Sequence, residues 1–156
     1  MTDQIGRREV LIGLGAALLA TEAVGDTLVD SKELTPTEKA NVKLYREFQS
    51  AFDAPNVDVD KTMMKFLAPN CSIRWFDDED RQEGRAAAIA AAKGEPFLAH
   101  PEIKTIFAHG PLVAASRVDT IKRPSKTEKV SVASVCIIKD GLITEYCDYI
   151  LSIEKL

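Results

Sequence analysis

Residues 112–122, LVAASRVDTIK, place an apolar or small side chain at nearly every second position, and so do 128–139, EKVSVASVCIIK, and 142–153, LITEYCDYILSI. A two-residue period is that of an extended strand, whose successive side chains point to opposite faces. Pro124-Ser125 lies between the first pair of runs and Asp140-Gly141, a strong tight-hairpin signal, between the second. The same period opens at 102–108, EIKTIFA, so the chain from Glu102 onward predicts a meander of four long strands.

Upstream the period changes. Thr35-Pro36-Thr37-Glu38 is a helix start: Thr35 can cap, Pro36 suits the first helical position, and Glu38 can complete a capping box. Leu44, Tyr45, Phe48 and Phe52 follow at one-face spacing, with an end expected near Ala54-Pro55. A second short helix fits Asp60 to Leu67, with Met63, Met64, Phe66 and Leu67 as its apolar content. Cys71 to Phe76 reads as a strand, and Asp77-Asp78-Glu79-Asp80 as an exposed, solvated turn rather than a metal site. Gly84 to Lys93 is an Ala-rich helix closed by Gly94 and Pro96. Helices first and a meander last predict an α+β fold, its sheet curling around the helices and leaving a cavity between them.

At 156 residues the chain suits one domain, and 46% hydrophobic residues suffice for a core. The net charge is −4 with scattered basic residues, which argues against a nucleic-acid partner. Cys71, Cys136 and Cys147 form no disulfide framework or Cys-x-x-Cys pair, and His100 and His109 have no partner at ligand spacing. No metal site is expected, and phosphate-binding glycine loops and GxSxG elbows are absent.

At the amino terminus, Arg7-Arg8 precedes an uncharged run from Val10 to Ala20 and a small-residue exit at Ala23. The pattern is that of a secretory signal, and the paired arginines resemble a twin-arginine one. Eleven residues are too few for a stable membrane span. Residues 1–25 are therefore read as an export signal, implying a periplasmic protein, or as a packed N-terminal helix in a cytoplasmic one. Residues 26–34 read as a linker and 35–156 as the domain.

The informative charges lie on the strands. Alternation puts Val113, Ala115, Arg117, Asp119 and Ile121 on one face of the 112–122 strand, and Asp148 on one face with Tyr146 and Ile150. The intervening strand offers Val130, Val132 and Ser134. Charges among apolar neighbours need partners, so an arginine flanked by two aspartates is a structural salt bridge, an acid/base site or simply part of an outward face, since these strands carry apolar residues on both faces. In a dry cavity two carboxylates sharing one arginine cannot both ionise easily. One stays protonated and donates while the other stays charged and accepts, a division suited to general acid/base chemistry.

Ser116-Arg117-Val118-Asp119, with the segment from Asp140-Gly141 to Asp148-Tyr149 and with Gly84-Arg85, resembles the limonene-1,2-epoxide hydrolase family. That family sits within the NTF2-like (SnoaL-like, ketosteroid-isomerase-like) group of curved-sheet folds, and the likeness spans roughly residues 36–153. It implies an NTF2-like cone, a mainly antiparallel sheet wrapped around N-terminal helices with an internal apolar pocket. It further implies a homodimer and a cofactor-independent enzyme acting on a small apolar substrate.

By position, Asp119 would be the protonated acid at the epoxide oxygen, Asp148 the base that activates water, and Arg117 their bridge. Ile121, Val130, Val132 and Ile150 fall at pocket-lining positions. The family's water-holding Tyr and Asn correspond to Ile73 and Trp75 counted from the strand start, or to Arg74 and Phe76 counted back from Gly84-Arg85. Neither count restores the pair. Epoxide hydrolysis thus stands beside a lyase, dehydratase or isomerase reaction on the same scaffold, with Trp75 stacking on an aromatic substrate, and beside a non-catalytic binding domain.

Overall fold

Helix α1 runs Pro36–Ser50 and begins as the capping box dictates. The Thr35 hydroxyl accepts from Glu38 N at 3.2 Å, and Glu38 accepts from Thr35 N at 2.8 Å. In this computed structural model the described residues are 33–53, 57–76, 79–93, 98–124 and 126–155. The expected export segment, residues 26–32 of the linker, Ala54, Pro55, Asp77, Asp78, Gly94, Pro96 and Ser125 lie outside them.

Helix α2, Val59–Phe66, is capped by Asp58, which accepts from Lys61 N at 3.0 Å. It passes directly into strand β1, Leu67–Arg74, which starts four residues earlier than expected. Pro69 is tolerated there because the short strand β2, Gln82–Glu83, pairs with β1 only at Ser72 and Ile73, and the pairing on the other side of β1 is interrupted between Leu67 and Ser72. Helix α3 is Arg85–Ala92, followed by β3 (Leu98–His109), β4 (Leu112–Lys122), β5 (Thr127–Lys139) and β6 (Leu142–Lys155). Strand β3 extends back past Pro101 because it is an edge strand, where a missing N–H costs no ladder bond.

The six strands form one sheet in the order β2-β1-β6-β5-β4-β3. All neighbours are antiparallel except β1 and β6, so the fold is α+β with a mainly antiparallel sheet. Asp140 and Gly141 turn the β5–β6 hairpin with φ of 51° and 73°, the positive pair that a two-residue turn of this hand requires. Register shifts interrupt β1–β6, β3–β4 and β5–β6, and such bulges bend strands and curl a sheet. One bulge makes Ile143 and Tyr146, three residues apart, both point inward.

The core joins the helices to the sheet's inner face through Tyr45, Phe48, Met63, Phe66, Val113 and Ile143. Phe48 makes edge contacts with Phe52, Phe66 and Tyr146 at centroid distances of 5.4, 5.5 and 5.6 Å. Among the described residues no helix is long and apolar enough to cross a membrane.

The buried Glu38 also ties α1 to the β3–β4 turn, accepting from Gly110 N at 2.9 Å, while Asn41 donates to Gly110 O at 3.0 Å. Glu38→Ala strands two backbone donors. It is expected to lower unfolding free energy by about 1–3 kcal/mol in urea titrations. Glu33→Ala, at an exposed ion pair, should leave the urea midpoint where it was.

Candidate active site

The inward faces of β4, β5 and β6 converge on one charged cluster. Arg117, Asp119 and Asp148 are 5, 7 and 5% exposed, too deep for ordinary surface ion pairing. Arg117 Nε donates to Asp119 Oδ1 at 2.9 Å and Oδ2 at 3.0 Å. The two Nη atoms face Asp148: Nη1 donates to Oδ1 at 3.1 Å and Nη2 donates to Oδ2. Ser134, directly opposite Asp148 in the β5–β6 pairing, donates from Oγ to Asp148 Oδ1 at 2.7 Å. Arg117 Nη1 also donates to Ser134 Oγ, and to the Tyr45 hydroxyl at 3.3 Å.

This cluster forms part of the wall of a cavity of about 570 Å³. Phe48, Phe52, Trp75, Phe76 and Tyr146 give it aromatic surface, and Ile121, Val130 and Val132 give it aliphatic surface. The Trp75 indole donates to Ala88 O at 3.3 Å, and its ring stands 6.0 Å from the Tyr146 ring in a tilted contact. Among the described residues no group of three or more His, Cys, Asp or Glu is placed to hold a metal ion.

Burial, outweighing the attraction of Arg117, raises the Asp119 carboxyl above the ordinary carboxylate range, and the Asp148 charge adds to the rise. The cluster is near neutral when Asp119 holds its proton, Arg117 is cationic and Asp148 is anionic. Burial opposes the Arg117 charge, but the Asp148 carboxylate beside it, by charge and hydrogen bond, strengthens its hold on the proton. Burial pushes the Tyr45 hydroxyl up to about 12.

No protein-family model and no curated protein matches the sequence. Solved structures do match. An LEH-like epoxide hydrolase from M. tuberculosis is 24% identical, covering 74% of this chain and 85% of its own, with a TM-score of 0.62. SalBIII, an epoxide hydrolase/cyclase-like enzyme with a role in pyran ring formation in salinomycin, is 19% identical, covering 76 and 98%, with a TM-score of 0.66. A Jannaschia protein described as a SnoaL-like polyketide cyclase is 17% identical, covering 78 and 92%, with a TM-score of 0.64. NTF2-like proteins match in the same way. The fold is NTF2-like.

The NTF2-like cone gathers most of the residues singled out in the sequence. Arg117, Asp119, Asp148, Trp75, Ile121, Val130, Val132 and Tyr146 all line the cavity. Ile73 and Ile150 do not. Ile73 is fully covered in the core beside Tyr146, and Trp75 reaches the cavity because β1 has ended at Arg74 and the chain bends there. Ile150 sits at a β6 bulge, where Val132 pairs with Ile150 and Ser131 with Ser152, and it packs on Ile121, Val130 and Val132 from the side. Glu79 of the acidic tract is exposed but also borders the cavity.

Three polar groups at the site were not singled out as site residues: Tyr45, Gln49 and Ser134. Gln49 donates from Nε2 to the Tyr146 hydroxyl at 2.9 Å. Their signal in the sequence is a polar atom on an apolar face, Gln49 four residues after Tyr45 and Ser134 two after Val132.

Proposed function

We propose that the chain is a cofactor-independent acid/base enzyme that opens a bulky, apolar epoxide with water. The supporting observation is Arg117 gripping Asp148 through both Nη atoms and Asp119 through Nε, at the wall of an apolar cavity. Asp148, gripped by Arg117, takes a proton from water as the water oxygen bonds to an epoxide carbon. The carbon–oxygen bond breaks, its electron pair goes to the epoxide oxygen, and Asp119 gives that oxygen its proton. The product is a diol. Asp148 is then protonated and Asp119 charged, and one proton transfer between them restores the start. The fold shared with the M. tuberculosis hydrolase and SalBIII agrees with this chemistry.

The aromatic wall favours a second reading on the same residues, isomerisation or elimination of an aromatic or polycyclic substrate. Incubation of the full chain with cyclohexene oxide, styrene oxide and larger apolar epoxides in ¹⁸O-water separates the two. The expected product is a diol with one ¹⁸O. Asp119→Asn, which can donate a hydrogen bond but no proton, should lower kcat by about 10²-fold. Wild-type kcat/KM should fall as pH rises through the raised Asp119 pKa, because the acid must carry its proton, and this alkaline limb should vanish in Asp119→Asn. A folded wild type that forms no labelled diol would sink the hydrolase reading.

A further inference from the structure

A guanidinium carries five N–H groups in one rigid plane, and at the buried Arg117 four of them have acceptors. The Nε–H is shared by Asp119 Oδ1 and Oδ2 at 2.9 and 3.0 Å. The two Nη1 hydrogens are divided among Asp148 Oδ1 at 3.1 Å, the Ser134 hydroxyl, and the Tyr45 hydroxyl at 3.3 Å. Nη2 holds Asp148 Oδ2 with one hydrogen, and among the described residues no second acceptor meets it.

The plane of the group fixes where the fifth N–H points. With one carboxylate across both Nη atoms, the other Nη2 hydrogen runs parallel to Nε–H, on the side where Asp119 sits. A side-on grip on Asp119, one oxygen on Nε and one on Nη2, would use that hydrogen, but both Asp119 oxygens lie on Nε. The N–H is therefore directed into the gap between the Asp119 and Asp148 carboxyls, and all three residues border the cavity. A buried cationic N–H without an acceptor is costly. A ligand oxygen seated in the gap would remove that cost, and the Asp119 carboxyl, raised and so protonated, offers it a second donor.

We infer that Arg117 is itself a catalytic residue, its second Nη2 N–H forming with the Asp119 carboxyl a two-donor site for the substrate oxygen on which negative charge develops. When the epoxide carbon–oxygen bond breaks, its electron pair goes to that oxygen. Asp119 gives the oxygen a proton, whereas Arg117 gives it a hydrogen bond and keeps its own proton. A donor already in place binds the charged oxygen more strongly than the neutral one, which is worth about 10²–10³-fold in rate. The chemical class that fits is an acceptor oxygen without a proton of its own on an apolar body, an epoxide or a ketone. The assignment rests on the reading of Asp119 as the acid at the substrate oxygen.

Benzophenone, an apolar ketone that yields no diol by ring opening, tests the site without turnover. A crystal structure of the wild type holding it should place the carbonyl oxygen within about 3 Å of both Arg117 Nη2 and Asp119. In solution the C=O infrared stretch of the bound ketone should fall below its value in hexane. Part of that fall should remain in Asp119→Leu, shown to be folded by a thermal melt, because Arg117 still donates. A bound ketone whose oxygen touches Asp119 alone would overturn the inference. So would a stretch in folded Asp119→Leu that returns to the hexane value, or a cavity that takes up no ketone. A ketone held by both donors in a protein that forms no labelled diol would instead count against the hydrolase reading and leave the two-donor site standing.

Discussion

Asp148→Asn is expected to lower kcat/KM for a hydrolysed apolar epoxide by about 10³–10⁴-fold, the upper range for losing a positioned base. The carboxamide of this variant could still accept from Arg117 Nη1 and Ser134 through its carbonyl oxygen, so the cavity should keep its shape and KM should change little. Its NH₂ group, however, would face Arg117 Nη2, donor against donor, and could take no proton from water. Steady-state kinetics with product mass in ¹⁸O-water measure the loss, and a thermal melt shows that the variant is folded. A folded variant retaining a tenth of wild-type kcat would remove Asp148 from the base role.

The largest effect on stability is expected from Arg117→Met. Breaking a buried ion pair from one side costs about 3–5 kcal/mol, because the remaining charge is buried without compensation. Here two carboxylates, Asp119 and Asp148, would be left together. Against a total stability of about 5–15 kcal/mol, that loss approaches unfolding.

The pH dependence has a definite sign. Asp119 already has its folded pKa raised above the unfolded value, so its stabilising proton is fully in place below about pH 4 and lost as pH rises through the folded value. Without Arg117 the attraction that opposes this rise is gone, and Asp119 follows the same sign more strongly. Urea titrations should therefore show a larger deficit at pH 7 than at pH 5. Replacing the whole cluster (Arg117→Met, Asp119→Leu, Asp148→Leu) should recover most of the stability while abolishing turnover, as expected of charges kept for chemistry. Equal deficits at the two pH values would contradict this account.

Much of the molecule was legible before any coordinates. Alternation along 112–122 put Arg117 and Asp119 on one side of a strand, and burial places that side inward throughout. Asp140-Gly141 announced its hairpin, and Thr35 to Glu38 announced the start of α1. These are local matters, governed by side-chain period, backbone φ and short-range hydrogen bonds, and the chain carries them by itself.

What depended on distant partners was not legible in this way. Strands β1 and β3 begin before the starts expected at Cys71 and Glu102 and run through Pro69 and Pro101, which lie at an interrupted stretch of pairing and on an edge strand. Bulges in β6 turned Ile143 inward and moved Ile150 off the cavity wall, and nothing in the two-residue period marks where an extra residue will be accommodated. Gln49 became part of the site only because α1 crosses the sheet above Tyr146, 97 residues later in sequence. The sequence by itself determined most of the strand runs, the Asp140-Gly141 turn and which charges share one strand face. The tertiary structure decided which polar atoms meet around Asp148, because a hydrogen bond needs two groups within about 3 Å and only packing brings together groups so far apart along the chain.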